Sequence, residues 1–393
     1  MFIMKTLVTG LGCISAAGKN LKETLASFQD ARVNARTVSI FKTLLNSPVF
    51  EVGLTKEYIA ENKMRTLVLA EHAVNEAFED AGLNSDILSR FRVGVSIGTT
   101  VASQLNDHEY YRSYRESGNG SVKTIDRYLN GNLATILREK YDLNGPGLTV
   151  VNACSSGTDA IGAALSWLKS GICDIVIAGG ADELNPIPYS GFNSLGITSE
   201  VCCRPFDKNR AGLNLGEGAG IIVLETEDVA KKRGIKPKLT LSGYGTYADA
   251  YHLTAPRPCG SGLISAIRYA AKEAEININN VSFVNAHGTA TFDNDKVEGC
   301  VFKELFNKNI KFLSTKGYTG HTLGAAGGLE AVFTCAALNN EWIPKSVGFE
   351  VLDDDIGLAP ITEKTDIAGS VAISTSLAFG GNNSALVFEK ISL

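Results

Sequence analysis

A chain of 393 residues with 44% hydrophobic and 20% charged side chains carries enough apolar material for one large α/β unit or two domains. Its 37 basic and 42 acidic residues leave a net charge of −5, so no global charge draws it to nucleic acid or an anionic membrane. Eight scattered cysteines without C-x-x-C spacing argue against a zinc site or a disulfide framework, and no apolar run approaches membrane-span length; a reducing, cytoplasmic setting is expected.

Residues 5–9 read as a first strand rather than a signal peptide, because a lysine interrupts the apolar start; Gly10-Leu11-Gly12 reads as the turn after it. The glycine offsets do not make a dinucleotide fingerprint. A short helix is expected over 20–28. A clearly amphipathic one is expected over 62–81, with Leu67, Val68, Val74 and Phe78 on one face and Gly82 just past its end. Residues 91–97 form a strand entering Gly98-Thr99-Thr100. The polar stretch 101–130, with Tyr110, Tyr111, Tyr114 and Tyr128, reads either as an excursion lining a pocket or interface or as a solvated helical hairpin.

Residues 148–151 read as a buried strand that turns sharply through Asn152-Ala153-Cys154-Ser155-Ser156-Gly157 into a helix carrying Ile161, Ala164, Leu165 and Leu168. Cys154 then sits where a strand ends and a helix begins, where free N–H groups and the helix dipole lower a thiol's pKa. The other reading of Cys154 is a structural cysteine beside a small-residue turn. Residues 172–178 form a buried strand running into Gly179-Gly180, and 221–225 form another after the glycine-rich 216–220.

Three segments recur in order. LTVVNACSSGTDAIGAA (148–164) is answered by KFLSTKGYTGHTLGAAGG (311–328), residues 218–225 by 383–389, and 91–99 by 281–289. A duplicated α/β unit follows, with halves at 1–237 and 238–393 divided near the basic, proline-containing turn 231–237. Of five histidines, His287 and His321 lie in glycine-rich turns at strand ends, and the repeat makes the His321 turn the counterpart of the Cys154 turn. Their convergence at the ligand-binding end of a sheet is expected.

VNACSSGTDA, RPFDKNRAGLNLGEGAG (204–220), NAHGTAT followed by Asp295, STKGYTGHTLGAAGGLE (314–330) and FGGNN (379–383) resemble, in order and over nearly the whole chain, the signatures of β-ketoacyl-acyl-carrier-protein synthases. These are decarboxylating condensing enzymes. The resemblance implies a thiolase-like fold of five layers, α-β-α-β-α, with duplicated halves, normally a dimer. It makes Cys154 the acyl-accepting nucleophile and His287 and His321 the active-site histidines. Lys316 matches the family's lysine, Glu330 a glutamate of the polar network, and Asp295 a supporting acid. Thr289 and Thr291 match threonines that bind the carrier's phosphopantetheine arm. The N–H of Phe379, with that of Cys154, matches the oxyanion hole.

The resemblance further implies an acyl carrier protein as partner, no metal or redox cofactor, and either a homodimer or a heterodimer with a chain-length-factor-like subunit. A thiolase proper would carry a second cysteine in the last glycine motif, absent from 379–383; an initiating synthase would carry asparagine at His321; a non-catalytic partner subunit would lack the nucleophile. Leu377, Ala378 and Asn382 depart from the usual Phe-Gly-Phe-Gly-Gly-Thr pattern. With the tyrosine-rich stretch, they point to a specialised substrate such as an aryl-polyene or polyketide chain. Lys63 and Arg65 read either as part of a carrier-facing basic patch or as a solvated helix end.

Overall fold

The structure is a computed structural model describing residues 5–54, 64–101, 105–123, 125–126, 132–307 and 309–391. Asn62, Lys63 and Tyr128, named above, lie outside the described residues. Ten strands form one hydrogen-bonded sheet: β1 (Thr6–Ser15), β2 (Val93–Gly98), β3 (Gly147–Val150), β4 (Ile175–Asp182), β5 (Gly218–Thr226), β6 (Leu239–Ala248), β7 (Val281–Asn285), β8 (Lys311–Leu313), and, after a two-stranded pair β9 (Trp342–Ile343) and β10 (Thr365–Asp366), β11 (Val371–Ala378) and β12 (Asn382–Lys390).

The order β3-β2-β4-β5-β1-β6-β12-β11-β7-β8 contains one pattern twice. In the first half β2 runs parallel to β3 and β4, while β5 is antiparallel to β4 and β1. In the second half β7 runs parallel to β8 and β11, while β12 is antiparallel to β11 and β6. The halves join where β1 meets β6, through only two residue pairs, Leu7–Thr240 and Val8–Leu239.

Strand side chains alternate between two cores, as a period of two requires. Ile175, Ile177, Ile221 and Val223 face the outer helix Arg65–Ala81, whereas Val176, Ala178, Ile222 and Leu224 face the middle layer. Val371, Ile373 and Val387 likewise face an outer core with helix Ser261–Glu273, while Ala372, Leu386 and Phe388 face inward. The middle layer consists of helices Ser156–Lys169 and Ala326–Asn340, which touch strands of both halves. Residues 326–338 are all buried, as expected of a helix with sheet on two sides. The α-β-α-β-α layering is thus present.

Two local expectations are corrected. Gly10 and Gly12 do not form a turn, because β1 runs through them; a Cβ on either would stand 2.2 Å from the Ala77 carbonyl oxygen or 2.0 Å from that of Ala73. The glycines let helix Arg65–Ala81 lie against the strand. Residues 148–151 are not a buried strand: β3 is the sheet's edge, with Leu148 38% and Val151 66% exposed. The tyrosine-rich stretch contains a helix, Leu105–Ser117, on which Tyr111 and Tyr114 are exposed.

Candidate active site

The turn after β3 positions Cys154. Ala153 adopts φ +50°, a left-handed conformation unfavourable for a residue with a Cβ. Its carbonyl is fixed by the Ser156 hydroxyl at 2.6 Å, the Ser156 N–H at 3.2 Å and the Thr100 hydroxyl at 3.2 Å. Gly157, at the start of the next helix, meets the start of helix Ala326–Asn340 so closely that a Cβ there would lie 2.7 Å from Gly328 N. This contact draws the Cys154 and His321 turns together.

Segment 204–220 holds the backbone of His321. The His321 N–H donates to the Asn214 carbonyl at 2.8 Å, and the His321 carbonyl accepts the Gly216 N–H at 3.0 Å. Buried Asn214 is itself fixed, accepting the Cys203 N–H at 2.7 Å.

The structure brings together all five expected polar groups. His321 Nε2 lies 3.0 Å from Cys154 Sγ. The His287 ring stands perpendicular to His321, with centroids 5.2 Å apart. Lys316 Nζ is 3.1 Å from His287 Nδ1, donates to the His287 carbonyl at 2.7 Å, and is ion-paired with Glu330. An ammonium can only donate, so His287 Nδ1 accepts and the imidazole proton resides on Nε2. The Thr289 and Thr291 hydroxyls are 2.9 Å apart, and both residues line a cavity of about 220 Å³ together with Cys154, both histidines and Phe379. The Phe379 N–H favours negative charge on Cys154 Sγ, and the Phe379 ring stacks on Phe192 with centroids 5.2 Å apart.

Burial dominates the electrostatics. It pushes the Cys154 thiol up to about 12, against the opposing pull of the Lys316 charge and the Phe379 N–H. Burial, then the Lys316 charge, holds both histidines well below the usual imidazole range. The expectation of an acidified thiol is therefore corrected: the resting pair is neutral thiol and neutral imidazole. Burial also raises Glu330 to about 7, with Lys316 opposing.

Asp295 sits behind the site, accepting the Phe206 N–H at 2.6 Å and the Ala290 N–H at 3.2 Å. Sequence reasoning missed Glu298, three residues further along the same helix. Its carboxylate accepts the N–H groups of His287 at 2.8 Å and Gly288 at 2.6 Å, and burial raises it to about 7. Two acids at i and i+3 after a His-Gly turn were the available signal. Also missed was Asp182 at the end of β4, which accepts the Gly324 N–H at 2.6 Å and the Thr99 hydroxyl at 2.7 Å, joining the turn after β2 to the turn that follows His321. Arg65, one of two candidate docking cations, is instead paired with Glu217, and its side chain is only 10% exposed.

A thiol and two imidazoles opening on one cavity, with a buried Lys–Glu pair behind His287, in a duplicated α/β fold are the arrangement of a condensing enzyme of the thiolase type. The β-ketoacyl synthase N-terminal domain matches residues 55–230 and the C-terminal domain residues 239–350. The chain is 33% identical over 416 residues to 3-oxoacyl-[acyl-carrier-protein] synthase 2 of Vibrio harveyi, covering 98% of this chain and 99% of the relative. It is 31% identical over 415 residues to the synthase of the same name from Staphylococcus aureus strain MRSA252, covering 98% of each. Among solved structures it is similar to the ishigamide ketosynthase/chain length factor, with TM-score 0.93, 29% identity, and 99% of this chain and 100% of that one covered. A β-ketoacyl synthase from Burkholderia phymatum STM815 gives TM-score 0.90, 29% identity and the same coverage. The chain belongs to the β-ketoacyl synthase family. It is a condensing ketosynthase.

Proposed function

We propose that the chain takes an acyl group from an acyl-carrier thioester onto Cys154 and condenses it with a malonyl-carrier thioester. The observation that carries these assignments is the 3.0 Å contact between Cys154 Sγ and His321 Nε2, with His287 beside them on the same cavity. In the first step the Cys154 S–H proton passes to His321 as sulfur attacks the thioester carbonyl, and the carrier thiol leaves with a proton. The oxygen's developing charge falls between the N–H groups of Cys154 and Phe379. Malonyl then loses its carboxylate as carbon dioxide, or as bicarbonate where a water molecule adds to the departing carbon. The enolate oxygen accepts from His287 Nε2–H, whose tautomer Lys316 fixes, and from His321. Its carbon attacks the acyl-Cys154 carbonyl; the C–S bond breaks, releasing the 3-oxoacyl product and a Cys154 thiolate, which takes a proton from solvent to restore the neutral thiol.

The Thr289 and Thr291 hydroxyls receive the carrier's phosphopantetheine arm. This chemistry is complete with side chains and thioesters and calls on no metal or redox cofactor. The halves divide at 237/238, a reading supported by the repeated strand order and by the family-domain limits at 230 and 239. A second, similar chain adds at β3, whose outer edge carries no strand among the described residues and exposes Leu148 and Val151. Among the described residues no helix is long and apolar enough to cross a membrane; the setting proposed is cytoplasmic. The test is intact-mass detection of an acyl group on Cys154, followed by its malonyl-dependent loss as 3-oxoacyl carrier. No adduct, or an adduct on another cysteine, refutes the proposal. A non-catalytic partner role is disfavoured by the assembled thiol–imidazole pair.

The substrate proposed is a rigid, polyenoic or polyketide chain. Leu377 and Ala378, both lining the cavity, and solved relatives titled as ketosynthases with chain length factors support it. Competition between saturated and polyenoic carriers for Cys154 tests it, and preference for the saturated chain counts against it.

A further inference from the structure

A part-buried chain of hydrogen bonds ties the Cys154 turn to the glycine turn that carries Phe379, and no step above uses it. Asp159, one turn into helix Ser156–Lys169, accepts four hydrogen bonds: from the Asn152 amide at 2.6 Å, the Ser155 hydroxyl at 2.8 Å, the Tyr244 hydroxyl at 2.9 Å, and the Ser384 hydroxyl. Two of these donors belong to the Cys154 turn; the other two stand on β6 and β12 in the second half. Because Asn152 directs its amide N–H to Asp159, its Oδ1 faces the opposite way and accepts Asn382 Nδ2 at 2.8 Å. The same Nδ2 reaches the Phe379 carbonyl at 3.3 Å.

The Phe379 turn needs such a tether. Gly380 and Gly381 take φ +87° and +79°, and glycines impose little steric preference of their own. The turn is also tied by the Gly380 N–H to the Leu253 carbonyl at 2.8 Å, the Gly381 N–H to the Ala378 carbonyl at 3.1 Å, and the Gly381 carbonyl, which accepts the Asp249 N–H at 2.7 Å and Asn383 Nδ2 at 3.0 Å; none of these reaches the Cys154 turn. Among the described residues the Asn382–Asn152 bond is the one side-chain to side-chain hydrogen bond that sets one turn against the other. Asn382 is also a position where this sequence departs from the usual threonine, whose hydroxyl ends one bond nearer the backbone.

We propose that Asp159, Asn152 and Asn382 are positioning residues that set the spacing between the Cys154 and Phe379 N–H donors, and with it the rate at which Cys154 is acylated. The proposal rests on the acyl-transfer reading above. Misplacing an oxyanion donor by a fraction of an ångström lowers the rate without altering how the donor substrate binds.

The experiment is single-turnover acylation of Cys154 by an acyl-carrier thioester that the unaltered chain accepts. Asn382→Ala is expected to slow acylation at saturating donor by about 10- to 100-fold, with the half-saturating concentration changed by less than about twofold. The denaturant unfolding midpoint, which does not depend on oxyanion donors, serves as the control for an intact fold and stays near that of the unaltered chain. Asn382→Asp keeps the shape but cannot donate to Asn152, so it gives the same slowing should the alanine variant fail to fold. Asn152→Ala combined with Asn382→Ala is expected to be no slower than the slower single variant, as for members of one chain. Asn382 variants that acylate at the unaltered rate, or losses that multiply in the double variant, would overturn the proposal. An unaltered chain that accepts no acyl group overturns it through the functional reading instead.

Discussion

His321 Nε2 and Cys154 Sγ lie 3.0 Å apart although 167 residues separate them in the chain. The pair is neutral at rest, since burial raises the thiol to about 12 and lowers the imidazole. Alkylation of Cys154 by iodoacetamide should therefore rise about tenfold per pH unit across the neutral and mildly alkaline range, without a plateau near neutrality. His321→Ala removes a hydrogen-bond partner of the developing thiolate, and should slow alkylation by about tenfold or more. A plateau below about pH 8 would show an acidified thiol and refute the assignment.

Lys316 and Glu330 are both almost fully buried. Removing one leaves the other without its counter-charge, so Lys316→Ala should cost about 3–5 kcal/mol in denaturant unfolding. Replacing both with apolar residues of similar volume should restore much of that stability. Decarboxylation of malonyl carrier should stay depressed in the double variant, because the proton on His287 is no longer confined to Nε2. Carbon dioxide release separates the two effects.

Glu298→Gln retains one acceptor for the N–H groups of His287 and Gly288 but turns an amide N–H toward the other. Left unsatisfied, that group should cost about 1–3 kcal/mol. The pH dependence has a definite sign. Burial raises Glu298 from 4.5 to about 7, so the folded chain binds its proton more tightly than the unfolded one. The unaltered chain then gains stability from this group below about pH 4.5 and loses that gain as pH rises toward 7. Glutamine has no such titration, so the penalty of the substitution should shrink between about pH 5 and 7.5. Unfolding midpoints of the two chains, compared at each pH, cancel the other titrating groups and check this.

Gly157→Ala places a methyl group 2.7 Å from Gly328 N, where backbone must move to admit it. Overpacking of this kind costs about 1–3 kcal/mol. The displacement falls on the contact that aligns the two turns. Condensation should therefore drop more than the melting temperature alone explains, measured as product formed well below the transition.

Much of this site was legible because its groups follow strand ends in a repeated order. Cys154, His287 and His321 each stand in a turn after a parallel strand, and small residues around 157 and 324–328 announced close helix packing. Segment 204–220 was quotable but mute, because its role is to clamp the His321 backbone through Asn214 and Gly216, a pairing across more than a hundred residues. The pKa of Cys154 was misjudged because local sequence reports the helix dipole and not the number of layers above it. Asp182 and Glu298 went unseen for a similar reason: a buried acid that accepts backbone N–H groups looks like any other acid until the fold shows which amides surround it. The edge character of β3 was hidden by its apolar residues, which suit an interior strand and an exposed one equally well.

The narrow seam between β1 and β6 carries an implication about ancestry. The thiol belongs to one copy of the repeated unit and both imidazoles to the other. A single-length forerunner bearing only one of these sets could have completed the chemistry only by meeting a second polypeptide. With both sets on one chain, their meeting does not depend on concentration.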